Sequence, residues 1–394
     1  MSLLLQILFW CAVIGTVTST IYVLMVVVAA IRFGLRRRRD DKPGDFLPPL
    51  SVLKPLHGLE PGLEENLRTF FEQDYRAYQP EFELLFCARY ESDKGLQLAQ
   101  TIGARYPQVQ ARYLTCGEPQ YPNAKMYSLG VMAEAARYEH VVTSDADARI
   151  DHSLLRRVVQ PLADPKLALS SCLYLGTSDV SDLTTQLDAV GKSVEMSSGV
   201  LVADMVEGGT KFSLGVLAAQ RKKSFADAGG YNDLGQYYAE DYVLGHRLAE
   251  QGQNVIMSAS IIRLVVPKTP FVVSFKNQLR WMQSTRRSRP WGHLGTGLTF
   301  SVPFGLLGLL WGVFADRPEL GLLWLLATCA NRWLQAGVML RALGEPKWIW
   351  QTFIYPLRDF LGGVLWLSSY LPGQVYYHGG KYSIDTDGKY KAIS

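Results

Sequence analysis

Residues 139–151 read Glu-His-Val-Val-Thr-Ser-Asp-Ala-Asp-Ala-Arg-Ile-Asp. The short apolar run at 140–143 is rich in β-branched side chains, which predicts a buried strand. It stops at Asp145-Ala146-Asp147. In an open α/β sheet, ligands bind beyond the carboxyl ends of the strands. Two acids one residue apart at such a place can hold a divalent cation, and Mg²⁺ commonly bridges a few carboxylates to substrate phosphates. A solvated turn fits the same residues, because Asp is frequent where strands end. The rest of the chain favours the first reading.

Working outward, residues 50–56 read as a strand, 62–75 as a helix, 83–88 as a strand ahead of Tyr90-Glu91-Ser92-Asp93, and 95–106 as a helix. A third strand at 111–115 and a helix at 125–137 lead into the opening stretch. This alternation predicts a mostly parallel sheet with crossover helices. Beyond Asp151, residues 167–175 read as strand and 183–205 as one long helix or two. Residues 237–248 read as a helix that opens on Glu240 and Asp241. Acids are favoured in a first helical turn by the dipole alone, so an ordinary helix start fits them as well as a catalytic role does.

The chain has 394 residues, 48% of them hydrophobic, and a formal net charge of +4, which does not suggest a nucleic-acid partner. The apolar excess gathers at the two ends. Residues 3–31 form a nearly uncharged run long enough to cross a bilayer. Arg32 and Arg36 to Arg39 follow it, placing that end in the cytoplasm by the positive-inside rule. Apolar stretches recur at 298–315, 320–340 and 349–371, predicting further spans. Asn331, Arg332, Arg358 and Asp359 lie inside them, and ionisable groups at such depth usually face protein or water. The fourth stretch, interrupted by Pro356, suits a bent or re-entrant segment. The five cysteines form no C-x-x-C pair, which argues against a zinc site.

The segment 271–289 mixes aromatic and apolar residues with Lys276, Arg280, Arg286, Arg287 and Arg289. It reads as an amphipathic helix that could lie among lipid headgroups or aim arginine at a diphosphate. The implied division is an anchor (1–34), a basic, proline-rich linker (35–49), a cytosolic α/β domain (50–270), an interfacial helix (271–292), a C-terminal membrane region (293–372) and a tail (373–394). Acids at strand ends, arginine and a bilayer together suit transfer of a sugar from a nucleotide diphosphate to a lipid hydroxyl. That reaction requires charge neutralisation on the leaving group and a carboxylate to take the hydroxyl proton.

The blocks also resemble a known family. Lys54-Pro-Leu-His-Gly-Leu-Glu-Pro-Gly-Leu-Glu-Glu-Asn-Leu-Arg-Thr-Phe-Phe-Glu-Gln-Asp-Tyr75, Pro122-Asn123-Ala124-Lys125, Ala228-Gly229-Gly230, Ala239-Glu240-Asp241-Tyr242, Arg280-Trp281 and Gly380-Lys-Tyr-Ser stand in the order found in the ceramide glucosyltransferase family. That family includes bacterial members similar to a hopanoid N-acetylglucosaminyltransferase. The likeness runs from about residue 50 to about 385. It implies a Rossmann-like, GT-A type nucleotide-sugar transferase domain with N-terminal and C-terminal transmembrane helices, in a multi-pass protein of the bacterial inner membrane or its equivalent. By position it implies donor contacts from Lys54, Asp93, Lys125 and Asp145, and a Mg²⁺ or Mn²⁺ ion on Asp145 and Asp147. Asp241 would be the general base with Glu240 beside it, and Arg280 and Trp281 would close over the diphosphate and the acceptor entrance. The donor would be a UDP-sugar and the acceptor a membrane lipid, ceramide-like or hopanoid. The chain departs from the family pattern at Glu91-Ser92-Asp93, where a denser acid cluster is usual, and at Asn277. Ser198 stands where ceramide-using relatives carry His.

Overall fold

The computed structural model describes residues 3–178, 180–371, 375–377, 380–385 and 387–392. They fall into two units: residues 36–177, 206–267 and 375–394 in one, and residues 1–35, 178–205 and 268–374 in the other.

The α/β unit is built on β1 (Leu50–Pro55), β2 (Phe82–Ala88), β3 (Gln110–Thr115), β4 (His140–Ser144), β5 (Ala148–Arg149), β6 (Leu167–Thr177), β7 (Leu217–Arg221) and β8 (Asn254–Val265). Their spatial order is β3-β2-β1-β4-β7-β6-β8-β5. The first four run parallel, with Val52 of β1 opposite both Leu84 of β2 and Val142 of β4. Strand β2 is buried along its whole length and β1 along nearly all of it, as expected where both faces of a parallel sheet are covered. One face packs Leu53, Leu85 and Val141 against Met126, Leu129 and Met132 of the helix Ala124–Ala135 and Leu244 and Leu248 of the helix Glu240–Glu250. On the other face Phe86 stacks on Phe71, with ring centroids 5.5 Å apart. That shared core sets Lys125 and Glu240-Asp241 on two helices lying on one face of the sheet.

The expectation of a mostly parallel sheet holds for this half alone. Strand β7 is antiparallel to both β4 and β6, β6 and β8 are parallel, and β5 is antiparallel to β8. The sheet is therefore mixed. Strand β8 has no clear signature in the sequence, because serines interrupt its apolar run. In the fold Ser258 and Ser260 are buried, and Ser260 donates to Asp41 at 2.8 Å. A second sheet of three antiparallel strands, β9 (Val375–Tyr377), β10 (Gly380–Ile384) and β11 (Tyr390–Ala392), carries the Gly380-Lys-Tyr-Ser block. Backbone bonds from Tyr238 to Gly388 and from Tyr390 to Gln236 tie the tail to the loop just ahead of Glu240.

The other unit is helical. The first helix, Leu3–Asp40, takes in Arg36 to Arg39, which the sequence reading assigned to a linker. Arginine is a good helix former and is stabilised in a last turn. Residues 178–205 belong to this unit and not to the α/β domain. They form helices at Leu183–Val190 and Ser197–Val206, joined by a π-helical turn at Gly191–Met196. The amphipathic segment is a helix, Phe271–Ser288. The expected C-terminal spans are helices at Val302–Phe314, Pro318–Leu343 and Trp348–Ser368, the last continuous through Pro356.

Among the described residues one helix, Leu3–Asp40, is long and apolar enough to cross a membrane by length and composition. The 13 residues of Val302–Phe314 rise about 20 Å, short of a hydrocarbon core of about 30 Å. The two longer helices carry buried charge. Arg332 and Asp359, each about 98% buried, pair at 3.4 Å. Asp359 also accepts from Ser301 N and Val302 N at 2.9 and 2.8 Å, capping the helix Val302–Phe314. Arg358 pairs with Glu195 at 2.8 Å and donates to Gln278. The charges within these apolar helices thus face protein, as the cost of burying an ionised group requires.

Candidate active site

Strand β4 ends where the chain turns, and Asp145 N is held there by Val216 O at 2.9 Å. Antiparallel β7 starts beside it, so the segment 213–216 passes along the same edge of the sheet. The helix Ala124–Ala135 begins there too. Asn123 caps it, its Oδ1 accepting from Met126 N at 3.1 Å, a residue type suited to that position. Lys125 follows in the first turn.

The Lys125 ammonium is the meeting point. It lies 2.6 Å from Asp145 Oδ1 and 3.5 Å from Glu240 Oε1, and donates to Gly215 O at 3.2 Å. Asp241 lies alongside: its Oδ2 accepts from Gly215 N at 2.7 Å and its Oδ1 from Tyr242 N at 2.8 Å. Gly215 keeps this point uncrowded, since a Cβ there would stand 3.0 Å from Asp241 Oδ2 and 3.1 Å from Lys125 Nζ. Ser213 Oγ donates to Asp241 O at 2.8 Å, and Asn123 Nδ2 donates to Glu240 Oε2 at 3.0 Å. Carboxylates from positions 145, 240 and 241 therefore converge.

Burial pushes the Glu240 carboxyl up to about 7, with Lys125 pulling it back and Asp241 adding to the rise. Asp241 is raised as well, again by burial, against the opposing pull of Lys125 and the two backbone N–H groups. Burial works against the Lys125 charge, yet Asp145 and Glu240 hold its pKa well above the ordinary lysine range.

Two donor contacts look different in the fold. Lys54 is 1% exposed, because it ends a strand flanked on both sides. Its ammonium donates to the Asp145 carbonyl and to Ser144 Oγ, and sits 4.0 Å over the Phe70 ring. Burial brings its pKa down to about 7. Lys54 braces the Asp145 turn from beneath and has no open face for a nucleotide. Asp93 caps the helix Lys94–Gly103: its oxygens accept from Gly58 N, Gly95 N and Leu96 N at 2.8, 2.8 and 3.1 Å. It holds the loop after β1 against that helix.

Arg280 and Trp281 belong to the helical unit. Among the described residues, Arg280 Nε is buried without a hydrogen-bond partner. Trp281 is 43% exposed, with the Lys192 ammonium 4.9 Å from its ring. Asn277 faces outward while Gln278 turns inward to Ser274 and Arg358.

Among the described residues no three carboxylate, imidazole or thiol groups gather as a metal cluster. Asp145 and Asp147 nevertheless suit a hard cation, in the mode where diphosphate oxygens and water complete the shell. The Lys125 ammonium shows that a positive charge is accepted on Asp145.

The model for glycosyl transferase family 21 matches residues 11–390. The chain belongs to glycosyl transferase family 21. Among its relatives, ceramide glucosyltransferases 1 and 3 of Caenorhabditis elegans are 26% and 25% identical over 275 and 253 residues, covering 69% and 63% of this chain. These matches span 57% and 53% of the relatives, little more than half their length. A ceramide glucosyltransferase of Komagataella phaffii is 29% identical over 150 residues, 36% of this chain and 29% of that one. Among solved structures, a mannosyltransferase from Pyrobaculum calidifontis in complex with GDP-Man and Mn²⁺ is 19% identical with a TM-score of 0.47, covering 90% of this chain and 99% of that one. A glucosyl-3-phosphoglycerate synthase from Mycobacterium tuberculosis, in complex with Mn²⁺, UDP and phosphoglyceric acid, is 17% identical with a TM-score of 0.40, covering 65% and 84%. Within the family 21 chain, Asn123, Ser213 and Gly215 join the site although the sequence reading gave them no role there. Asn123 had a signal, since it opens the Asn-Ala-Lys block; residues 213 and 215 had none.

Proposed function

We propose that this family 21 protein moves a single sugar, glucose or N-acetylglucosamine, from a UDP-sugar to the hydroxyl of a membrane lipid, ceramide-like in the first instance. The observation that carries this reading is the convergence of Asp145 and Glu240 on the Lys125 ammonium, with Asp241 alongside on Gly215 N, at one sheet edge. In the reaction the acceptor oxygen bonds to the anomeric carbon, the bond from that carbon to the diphosphate oxygen breaks, and the hydroxyl proton passes to Asp241. Attack opposite the leaving group inverts the anomeric centre. Asp241 is aimed by Gly215 N and Tyr242 N, and its raised pKa makes it a better base than an exposed aspartate. A divalent cation, when bound by Asp145 with Asp147, supplies charge neutralisation on the departing diphosphate. The sequence motif assigns Arg280 to that same negative charge and Trp281 to the acceptor.

The Leu3–Asp40 helix supports membrane attachment, and Arg36 to Arg39 at its end favour the cytoplasmic side for that end. Large apolar side chains on the C-terminal helices are more than half exposed, among them Leu323, Trp350, Phe353 and Leu367. Such faces suit contact with lipid.

A polyol-bearing hopanoid is the alternative acceptor. Ser198, where ceramide-using relatives carry His, keeps it in view: it is buried and accepts from Gln335 at 3.0 Å. Incubating membranes that contain the protein with labelled UDP-sugars and candidate lipids, then identifying products by mass, tests the whole reading. One sugar on one lipid supports it. A polymer would mark a processive synthase, and no product from any pair would mark a non-catalytic relative.

A further inference from the structure

The Lys125 ammonium stands against the carboxylate that the mechanism gives to a cation. It is 2.6 Å from Asp145 Oδ1, 3.5 Å from Glu240 Oε1 and 3.2 Å from Gly215 O, with its side chain 24% exposed. Its stem leaves the first turn of a helix capped by Asn123, and the bare Cα of Gly215 leaves room for the head group. A divalent ion and an ammonium on one carboxylate would repel strongly at such spacing. They compete for Asp145.

We propose that Lys125 is a resident counter-ion for Asp145, displaced when the donor diphosphate arrives, so that cation and nucleotide sugar bind cooperatively and the cation alone binds weakly. This rests on the metal-assisted reading given above. With Lys125 in place, the Asp145 charge is already balanced and a free divalent ion gains little by entering. A diphosphate brings negative oxygens that offer the ammonium another partner. Once Lys125 has moved to them, Asp145 and Asp147 are open to the cation, which the same phosphates help to hold. By linkage, whatever factor the nucleotide adds to cation affinity, the cation adds to nucleotide affinity.

Mn²⁺ binding to the full-length protein in detergent micelles, followed by electron paramagnetic resonance without and with UDP, is the test. In the unmodified protein UDP should tighten Mn²⁺ binding by at least about tenfold, the size of an ordinary coupling between sites. Lys125→Met should bind Mn²⁺ alone about tenfold or more tighter than the unmodified protein, as removal of a competing charge requires. Adding Asp145→Asn to that variant should cancel the gain. Lys125→Arg, which keeps the charge, should retain the unmodified pattern and covers the case in which the Met variant folds poorly. Mn²⁺ bound equally well without UDP by the unmodified protein overturns the proposal. So does a folded Lys125→Met variant with no gain, which would return Lys125 to a plain donor contact while leaving the glycosyltransferase reading intact. No Mn²⁺ binding in any form, even with UDP, removes the metal from the mechanism along with this proposal.

Discussion

Each carboxylate oxygen of Asp241 already accepts one backbone N–H, from Gly215 and from Tyr242, and keeps a lone pair for a substrate proton. Asp241→Asn preserves the shape but removes the base. Transfer should fall by at least about 100-fold, within the usual range for general-base catalysis, while UDP binding measured by calorimetry stays near that of the unmodified protein. Asp241 serves as base only when ionised and burial raises its pKa, so the rate should fall away as pH drops while still above the ordinary aspartate range. Burial raises the Glu240 carboxyl beside it as well, up to about 7, with Asp241 adding to the rise. The stability effect has the opposite sign. A carboxyl raised on folding favours the protonated fold, so its contribution is complete below the ordinary carboxylate range and is lost as pH rises through about 7. Arg280→Lys keeps the charge but not the planar fork. If Arg280 grips phosphate oxygens, kcat/KM should drop well below that of the unmodified enzyme; an unchanged value would assign the helix Phe271–Ser288 to the membrane alone.

At the scale of elements, the helix Glu240–Glu250 delivers both acids because it seats directly on the backbone ahead of β7. Gly245 makes that approach possible: a Cβ there would come within 2.3 Å of Ser213 N and 2.4 Å of Phe212 C. These are backbone atoms and cannot swing aside. Gly245→Ala should therefore lift the helix off the segment that holds Asp241, at a cost of about 1–3 kcal/mol, typical of overpacking. A lowered Tm together with lost turnover checks it. Full stability with full activity would show that the helix is not the element that aims Asp241.

For the whole molecule, the helical unit depends on charges that its apolar composition would seem to forbid. Arg332 donates to Thr299 O at 2.8 Å, bonds Gln335 and pairs with Asp359, which in turn caps a helix start. Arg332→Met leaves Asp359 buried and unpaired, and breaking a buried pair in this way costs about 3–5 kcal/mol. Thermal unfolding of the detergent-solubilised protein should show a clear loss, partly recovered when Asp359 is replaced by Leu in the same chain. A loss no larger than that of an exposed substitution would place the pair in water instead of in the protein interior.

The strand ahead of Asp145 was legible because a β-branched run is a local property, and so was the helix that opens on Glu240 and Asp241. The ordered blocks were legible too, and with them the family. Other features depend on partners far away in the chain. Lys54 looks like an open donor contact until β2 and β4 enclose it, and the part Asp93 plays in holding the loop after β1 shows only once Gly58, Gly95 and Leu96 are in place. Strand β8 has no periodicity of its own, and its buried serines find partners only in the folded chain. Residues 178–205 read as ordinary helix, and contact with the apolar helices assigns them to the other unit. The sequence by itself determined which residue types were available and the local elements that carry them. The tertiary structure alone decided that Lys125 sits on Asp145, because one ammonium can balance carboxylates from positions 145 and 240 only after β4, two helices and the start of β7 have met at one edge.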